Sequence, residues 1–247
     1  MKLLKELKGH SNSQIFLIED QGQIFVRKNF DVQRNLERYQ ALSLIDVRLP
    51  KIYNINNDSY DMEYIPHVDI KHFLSTHNTI EISKFITDLF KKLKVNAIDK
   101  DYTQTYKDKL SKFNFEKYKM PFTADELIDQ LPKILPQSNY HGDLTLENIL
   151  YDARINNFVL IDPITTEYDS YVFDLAKLRQ DLVCKWFIRR EQYYLDSKLK
   201  IILDSLLEFK YYNNNALLIL MLMRVIPYTT NNQDEEFLLN EVRKLWK

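Results

Sequence analysis

The run His141-Gly142-Asp143-Leu144-Thr145-Leu146-Glu147-Asn148 and the following Val159-Leu160-Ile161-Asp162-Pro163 are the parts of this chain whose residue types and spacing could do chemistry. They offer a carboxylate, a carboxamide five residues on, and a second carboxylate at the end of an apolar run. Asp143 and Asn148 lie on a turn that enters a strand-like run, and Asp162 stands where the next such run stops. Two short antiparallel strands would hold all three side chains over one edge. The set suits phosphoryl transfer, which needs a base or orienter for an attacking hydroxyl and hard oxygen ligands for Mg²⁺ on the phosphates. Asp143 is the expected proton acceptor, and Asn148 and Asp162 are the expected metal ligands. A neutral carboxamide beside a carboxylate limits the negative charge next to ATP.

The elements that must position these groups can be read from periodicity and turn signals. Residues 14–28 form two alternating runs around Asp20-Gln21-Gly22, which predicts a hairpin. Asp31 is the expected N-cap of a helix running to about Ile45, with Leu36, Tyr39, Ala41, Leu42 and Ile45 on or near one face. Short strands are expected around Lys51–Ile55 and Tyr60–Ile65, ending at Pro66. Helical periods then run near 69–76, 80–96, 104–118 and 123–131, followed by strand-like runs at Asn148–Tyr151 and Phe158–Ile161. From Val172 to Lys247 the pattern is helical, with breaks near Asn213–Asn215 and Pro227–Asn232. The expected fold is α+β: a small β-rich N-terminal lobe, residues 1–65, and a mainly helical C-terminal lobe, residues 66–247. Ligands often bind in the cleft between such lobes.

Composition narrows the function further. The chain has 247 residues, 45% hydrophobic and 28% charged, with a formal net charge of −1. That balance argues against a broad electrostatic grip on nucleic acid or an anionic membrane. Only three glycines occur, Gly9, Gly22 and Gly142, and no pair has Walker A or dinucleotide-fingerprint spacing. The longest apolar stretch, Ala216 to Met223, is too short to insert across a bilayer, and the N-terminal residues lack a signal-peptide run. A cytoplasmic location is therefore expected, and the sequence sets no oligomeric state. The lone Cys184 lies among apolar residues and reads as a buried core residue. His67, His72 and His77 are spaced by five, which puts no two on one helix face and speaks against zinc.

His141-x-Asp143-x-x-x-x-Asn148, Ile161-Asp162-Pro163 and Phe173-Asp174-Leu175-Ala176-Lys177-Leu178 resemble the aminoglycoside phosphotransferase and choline kinase superfamily, which has a protein-kinase-like fold. The same motifs look like kinases encoded with bacterial surface-polysaccharide genes. The resemblance implies that Asp174 braces the catalytic loop and that His141 is a hydrogen-bonded structural residue of that loop. A kinase also needs a strand lysine for the α/β-phosphates and a helix glutamate to position it. Lys28 ends the second hairpin strand with Val26 on the same face to cover the adenine, and Glu37 is the one glutamate of the next helix. Gly9-His10-Ser11-Asn12-Ser13 resembles the family's Gly-x-Ser-Asn loop, with Ser11 and Asn12 as phosphate binders. Met62-Glu63-Tyr64-Ile65-Pro66 looks like the interlobe hinge, so Glu63, Tyr64 and Ile65 are placed against the nucleotide, together with Leu150 and Ile161.

The sequence departs from protein kinases. Pro-Ile follows Asp162, no arginine precedes Asp143, and only eleven residues separate Asp162 from Asp174, too few for a full activation segment. The expectation is an ATP- (or other NTP-) and Mg²⁺-dependent kinase that phosphorylates a hydroxyl of a small molecule, such as a sugar, polyol or amino alcohol. A choline, ethanolamine or aminoglycoside kinase is the alternative, although the terminal Arg243-Lys244-Leu245-Trp246-Lys247 lacks the acidic residues that suit a polycation. A non-catalytic nucleotide-binding regulator of the same fold is the alternative of another class. Arg179, Arg189, Arg190 and Arg224, with Trp186, Tyr193, Tyr194 and Tyr228, are the residues expected to wall the acceptor side. For the aromatic residues among them, helix-core packing is favoured over a cage around an amine.

Overall fold

The computed structural model describes residues 1–7, 14–29 and 31–246. An antiparallel sheet in the order β1-β2-β3-β5-β4 occupies the N-terminal part. Its strands are β1 Lys2–Leu7, β2 Gln14–Asp20, β3 Gln23–Asn29, β4 Ile52–Ile55 and β5 Ser59–Glu63. The β2–β3 turn closes with Gln21 and Gly22 both at positive φ (49° and 81°), a pairing that matches the right-handed twist of a two-residue hairpin. Pairing of β3 with β5 sets Val26 opposite Met62, Arg27 opposite Asp61 and Lys28 opposite Tyr60. Alternation then sends Arg27 to one face, where it makes a bidentate pair with Asp61 at 2.7 and 2.9 Å. Val26, Tyr60 and Met62 pack with Tyr39 on the other face, which also carries Lys28.

Helix α1, Val32–Ser43, crosses this face and buries Asn35, Arg38, Tyr39 and Leu42. Asp31 holds the N-cap position in a left-handed conformation, but its side chain makes no cap hydrogen bond. The rest of the chain is mainly helical. It contains α2 Ile70–Thr76, α3 Thr79–Leu93, α4 Thr103–Leu110, α5 Ala124–Gln130, α6 Tyr171–Leu182, α7 Asp196–Asp204, α8 Asn215–Val225 and α9 Asn232–Leu245. Helix α4 stops at Leu110, well short of the expected residue 118, and a non-helical connection from 183 to 195 breaks the stretch expected to be helical, apart from a 3-10 turn at Trp186–Ile188. The apolar run Ala216–Met223 is buried on every side of α8, as a helix hydrophobic all round must be. No described helix is long and apolar enough to cross a membrane.

Two further ribbons interrupt the helices. β6 Ile98–Asp101 pairs with β7 Ile134–Gln137, and β8 Ile149–Asp152 pairs with β9 Asn157–Leu160. The second ribbon frames two of the expected site residues: Asn148 precedes β8 and Asp162 follows β9.

Candidate active site

The turn at 141–143 is held by backbone geometry that only glycine tolerates at its centre. Gly142 has φ +92°, and a Cβ there would lie 2.0 Å from the Ile164 carbonyl oxygen. Ile164 N–H donates to the His141 carbonyl at 2.9 Å, so the turn lies flat against the segment that follows Asp162. His141 is fully buried. Its Nδ1 accepts the Asp143 N–H at 3.3 Å, so Nε2 carries the proton and donates to the Ile161 carbonyl at 2.9 Å. Burial drives its pKa down to about 4, so the ring is neutral. It ties the turn carrying Asp143 to the strand end carrying Asp162.

Helix α6 supports the same turn from below. Ser170 caps the helix, and Asp174 in its first turn accepts the N–H groups of His141 and Gly142. Burial pushes the Asp174 carboxyl up to about 7, against the pull of those two N–H donors. Asp181, seven residues on, accepts Leu146 N–H at 2.7 Å and Phe187 N–H at 3.1 Å, and burial pushes it up to about 7 as well. Between them Lys177 reaches Asp143, Nζ to Oδ1, at 3.0 Å. Residues 174, 177 and 181 share one helix face. Three charged residues at spacings of three and four in a helix otherwise largely apolar were a signal for this face. Sequence reasoning nevertheless missed Lys177 and Asp181.

Burial works against ionisation of Asp143, but Lys177, with help from Arg224, outweighs it and holds the carboxyl below its ordinary value. Its side chain is 42% exposed, open to an incoming molecule. Asn148 donates through Nδ2 to the Asp143 carbonyl at 2.7 Å and to Oδ2 at 3.3 Å. Its own carbonyl accepts Ile161 N–H at 3.0 Å. Asp162 follows in a left-handed conformation, φ 56°, which turns it out of the strand direction. Asp143, Asn148 and the stretch ending in Asp162 are thus brought together by short direct bonds.

The N-terminal sheet delivers Lys28 to the same place. Lys28 is 5% exposed and its Nζ meets Asp162 Oδ1 at 2.9 Å. The expected pair of Lys28 with Glu37 does not form. Glu37 is exposed and accepts Gln33 Nε2 at 2.9 Å within its own helix. The inward face of α1 is built from Asn35, Arg38, Tyr39 and Leu42 instead. Asn35 Nδ2 donates to the Pro163 carbonyl at 2.8 Å, and Arg34 donates twice to the Thr165 carbonyl, at 3.0 and 2.8 Å. The helix therefore grips the segment after Asp162 rather than the strand lysine.

Ser11 and Asn12 lie outside the described residues. At the expected hinge, the Glu63 carboxylate accepts Arg48 Nη2 at 3.1 Å and Lys51 N–H at 3.2 Å, and its own N–H donates to the Lys51 carbonyl at 2.7 Å. Tyr64 packs against the Val26 cluster, and Ile65 is buried with its carbonyl held by His67 Nδ1 at 3.0 Å. Leu150 is half-buried in β8, opposite Val159.

Three of the four arginines expected on the acceptor side are engaged elsewhere. Arg179 donates to the Asn214 carbonyl and Asn215 Oδ1, and Arg189 and Arg190 both clamp Asp234 on α9. Trp186 packs between Arg189 and Phe237, while Tyr194 is 94% exposed, so these rings form no aromatic cage among the described residues. Arg224 stacks on the Tyr168 ring, 4.5 Å from its centroid.

The donor set suits a magnesium ion shared with a nucleotide. Among the described residues no cluster of three His, Cys, Asp or Glu side chains could hold a metal by itself. Asp162 Oδ1 is buried and met by Lys28 Nζ in an ion pair without a well-formed hydrogen bond, while Asn148 donates through Nδ2 to Asp143 and its Oδ1 makes no hydrogen bond among the described residues. One carboxylate and one amide oxygen leave coordination positions for phosphate oxygens and water, as Mg²⁺ requires.

No protein-family model matches the chain, and no curated protein matches its sequence. Solved structures do match its shape. An aminoglycoside phosphotransferase, a thermostable mutant in its apo form, superimposes with a TM-score of 0.67 at 10% identity, covering 99% of this chain and 94% of that one. The same enzyme in a ternary complex with ADP and hygromycin B gives 0.65 at 9% identity, covering 98% and 92%. An ethanolamine kinase of Plasmodium vivax gives 0.59 at 12% identity, covering 98% of this chain and 82% of that one. The chain has the fold of the protein-kinase-like small-molecule kinases.

Proposed function

We propose that the protein is an ATP-dependent phosphotransferase that phosphorylates a hydroxyl of a small molecule with Mg²⁺. The observation that carries the reading is the convergence of Asp143, Asn148, Asp162 and Lys28, linked by the Asn148–Asp143 and Lys28–Asp162 contacts and tied together by His141 and Ile161. Lys28, nearly buried and salt-bridged to Asp162, supplies the cation for the α/β-phosphates. Asn148 and Asp162 would hold the metal ion, which would supply charge neutralisation on the transferred phosphoryl group. Asp143, kept ionised by Lys177, accepts a hydrogen bond from the acceptor hydroxyl and fixes its line of attack. The hydroxyl oxygen bonds to the γ-phosphorus as the bond to the ADP oxygen breaks, and the hydroxyl proton passes to Asp143. Asp174 and Asp181 hold the backbone of this loop so that the carboxylate is set before the acceptor arrives. Val26, Tyr64, Ile65, Leu150 and Ile161 flank the adenine.

The fold of solved small-molecule kinases, one of them bound to ADP and hygromycin B, supports the reading. The test is ADP release from ATP and Mg²⁺ with a panel of sugars, polyols, phosphorylated sugars, choline, ethanolamine and aminoglycosides. Turnover with one class of acceptor is the expected result. AMP-PNP binding without turnover on any member would favour a nucleotide-binding regulator instead.

A further inference from the structure

Asp162 is held in a conformation that its own sequence resists. Its φ of 56° lies in the left-handed region. The residue before a proline is restricted to extended backbone, so Pro163 sharpens the conflict. Such a conformation persists only where the surroundings over-determine it. Upstream, Ile161 N–H donates to the Asn148 carbonyl at 3.0 Å. Downstream, Ile164 N–H donates to the His141 carbonyl at 2.9 Å, and α1 adds four further hydrogen bonds. Asn35 Nδ2 reaches the Pro163 carbonyl at 2.8 Å, Arg34 donates twice to the Thr165 carbonyl at 3.0 and 2.8 Å, and Thr165 N–H donates to the Arg34 carbonyl at 3.1 Å. Asn35 is 1% exposed, and its Oδ1 is buried without a hydrogen-bond partner. An apolar side chain of the same size would avoid that unpaired oxygen, so packing alone gives no reason for a carboxamide on the inward face of α1. The bond to Pro163 does.

We propose, building on the phosphotransferase reading, that Asn35 and Arg34 are positioning residues for the magnesium ligand: through the Pro163 and Thr165 carbonyls they hold Asp162 in the left-handed turn from which its carboxylate would bind Mg²⁺. Lys28 meets the same carboxylate at 2.9 Å, but in that reading its ammonium also serves the α/β-phosphates. Once the ammonium is shared with nucleotide, the backbone must keep the carboxylate in place. Groups that orient a ligand without touching the metal commonly change metal affinity by about 10–100-fold when removed. Helix α1 packs on the N-terminal sheet, whereas residues 162–165 run between β9 and α6, so the same four bonds link metal binding to the docking of one part on the other. Linkage makes the effect reciprocal: Mg²⁺ bound at Asp162 would tighten the hold of α1 on this segment.

The test uses the full chain and calorimetry with AMP-PNP, in EDTA and over a series of Mg²⁺ concentrations. Asn35→Leu removes the donor at similar size, and Arg34→Met does so at a side chain that is 49% exposed. Asn35→Leu should raise the Mg²⁺ concentration for half-maximal AMP-PNP binding by about tenfold or more, and Arg34→Met by about threefold. Both should leave AMP-PNP affinity in EDTA unchanged, which also shows that they are folded. If Asn35→Leu fails to fold, the exposed Arg34→Met decides by itself. A role in packing alone would lower the melting temperature and leave the Mg²⁺ requirement as in wild type. That result in either folded variant, or an equal loss of AMP-PNP affinity with and without Mg²⁺, would overturn the proposal and leave the kinase reading standing. Wild-type AMP-PNP affinity that does not respond to Mg²⁺ would remove the phosphotransferase reading and this inference with it.

Discussion

Exchanging the partners of Lys28 separates the observed ion pair from the one the sequence suggested. Lys28 is almost fully buried, while Asp162 keeps 26% of its side chain exposed. Removing one member of a fully buried pair costs about 3–5 kcal/mol, because the other charge is left without compensation. The two single variants should therefore differ. Asp162→Asn strands a buried ammonium and should cost about 3 kcal/mol, whereas Lys28→Met leaves a carboxylate that water reaches and should cost about 1–2 kcal/mol. The double variant should cost less than the sum, with a coupling of about 1–3 kcal/mol. Glu37→Ala loses only an exposed hydrogen bond to Gln33 and should stay within about 0.5 kcal/mol of wild type. Urea unfolding at constant slope measures all four, and calorimetry with AMP-PNP and Mg²⁺ should show affinity lost in both Lys28 and Asp162 variants but kept in Glu37→Ala. A Glu37→Ala variant as damaged as Asp162→Asn, or an additive double variant, would refute the pairing.

Other outcomes follow from the loop. Gly142→Ala places a methyl group 2.0 Å from the Ile164 carbonyl and adds a side chain at φ +92°, so it should cost about 3 kcal/mol or more and abolish turnover; a wild-type melting temperature would contradict the turn geometry. His141 stays neutral in the fold down to about pH 4, whereas in the unfolded chain it protonates near its ordinary value of 6.5, so its stabilisation is present above pH 6.5 and is lost as the pH falls to 4. Asp174 and Asp181 act in the opposite sense over this window, because burial raises their carboxyls to about 7 and the folded chain binds their protons first. The difference between wild type and His141→Gln isolates the histidine: wild type should lose about 3 kcal/mol more between pH 6.5 and 4, and parallel stability profiles would refute the buried neutral ring.

The parts of the fold legible in the sequence are those with local signals. The β2–β3 hairpin follows from alternation and a glycine in its turn, and the loop 141–148 from residue types at fixed spacing. Strands β6 and β7 pair across more than thirty residues, and nothing local to either marks the other. The Glu37 assignment rested on residue type, as the one glutamate of its helix. The structure shows that α1 turns Asn35 and Arg38 inward, polar residues that hydrophobic periodicity places on the solvent side. The arginines misled for a related reason. Arg189 and Arg190 are satisfied by Asp234, more than forty residues away, and a sequence does not say which charges meet. Lys177 and Asp181 meet loop residues more than thirty positions away, Asp143 and Leu146, and nothing local to helix α6 marks those partners.

The most direct test of the account is phosphoryl transfer by Asp143→Asn, measured as ADP release with the acceptor the panel identifies and compared with AMP-PNP affinity in the same preparation. Asparagine keeps the shape but cannot take the hydroxyl proton or pair with Lys177. Turnover should fall by about 10²-fold or more while nucleotide affinity is retained. Wild-type turnover in Asp143→Asn would contradict the assignment of this loop as the catalytic one.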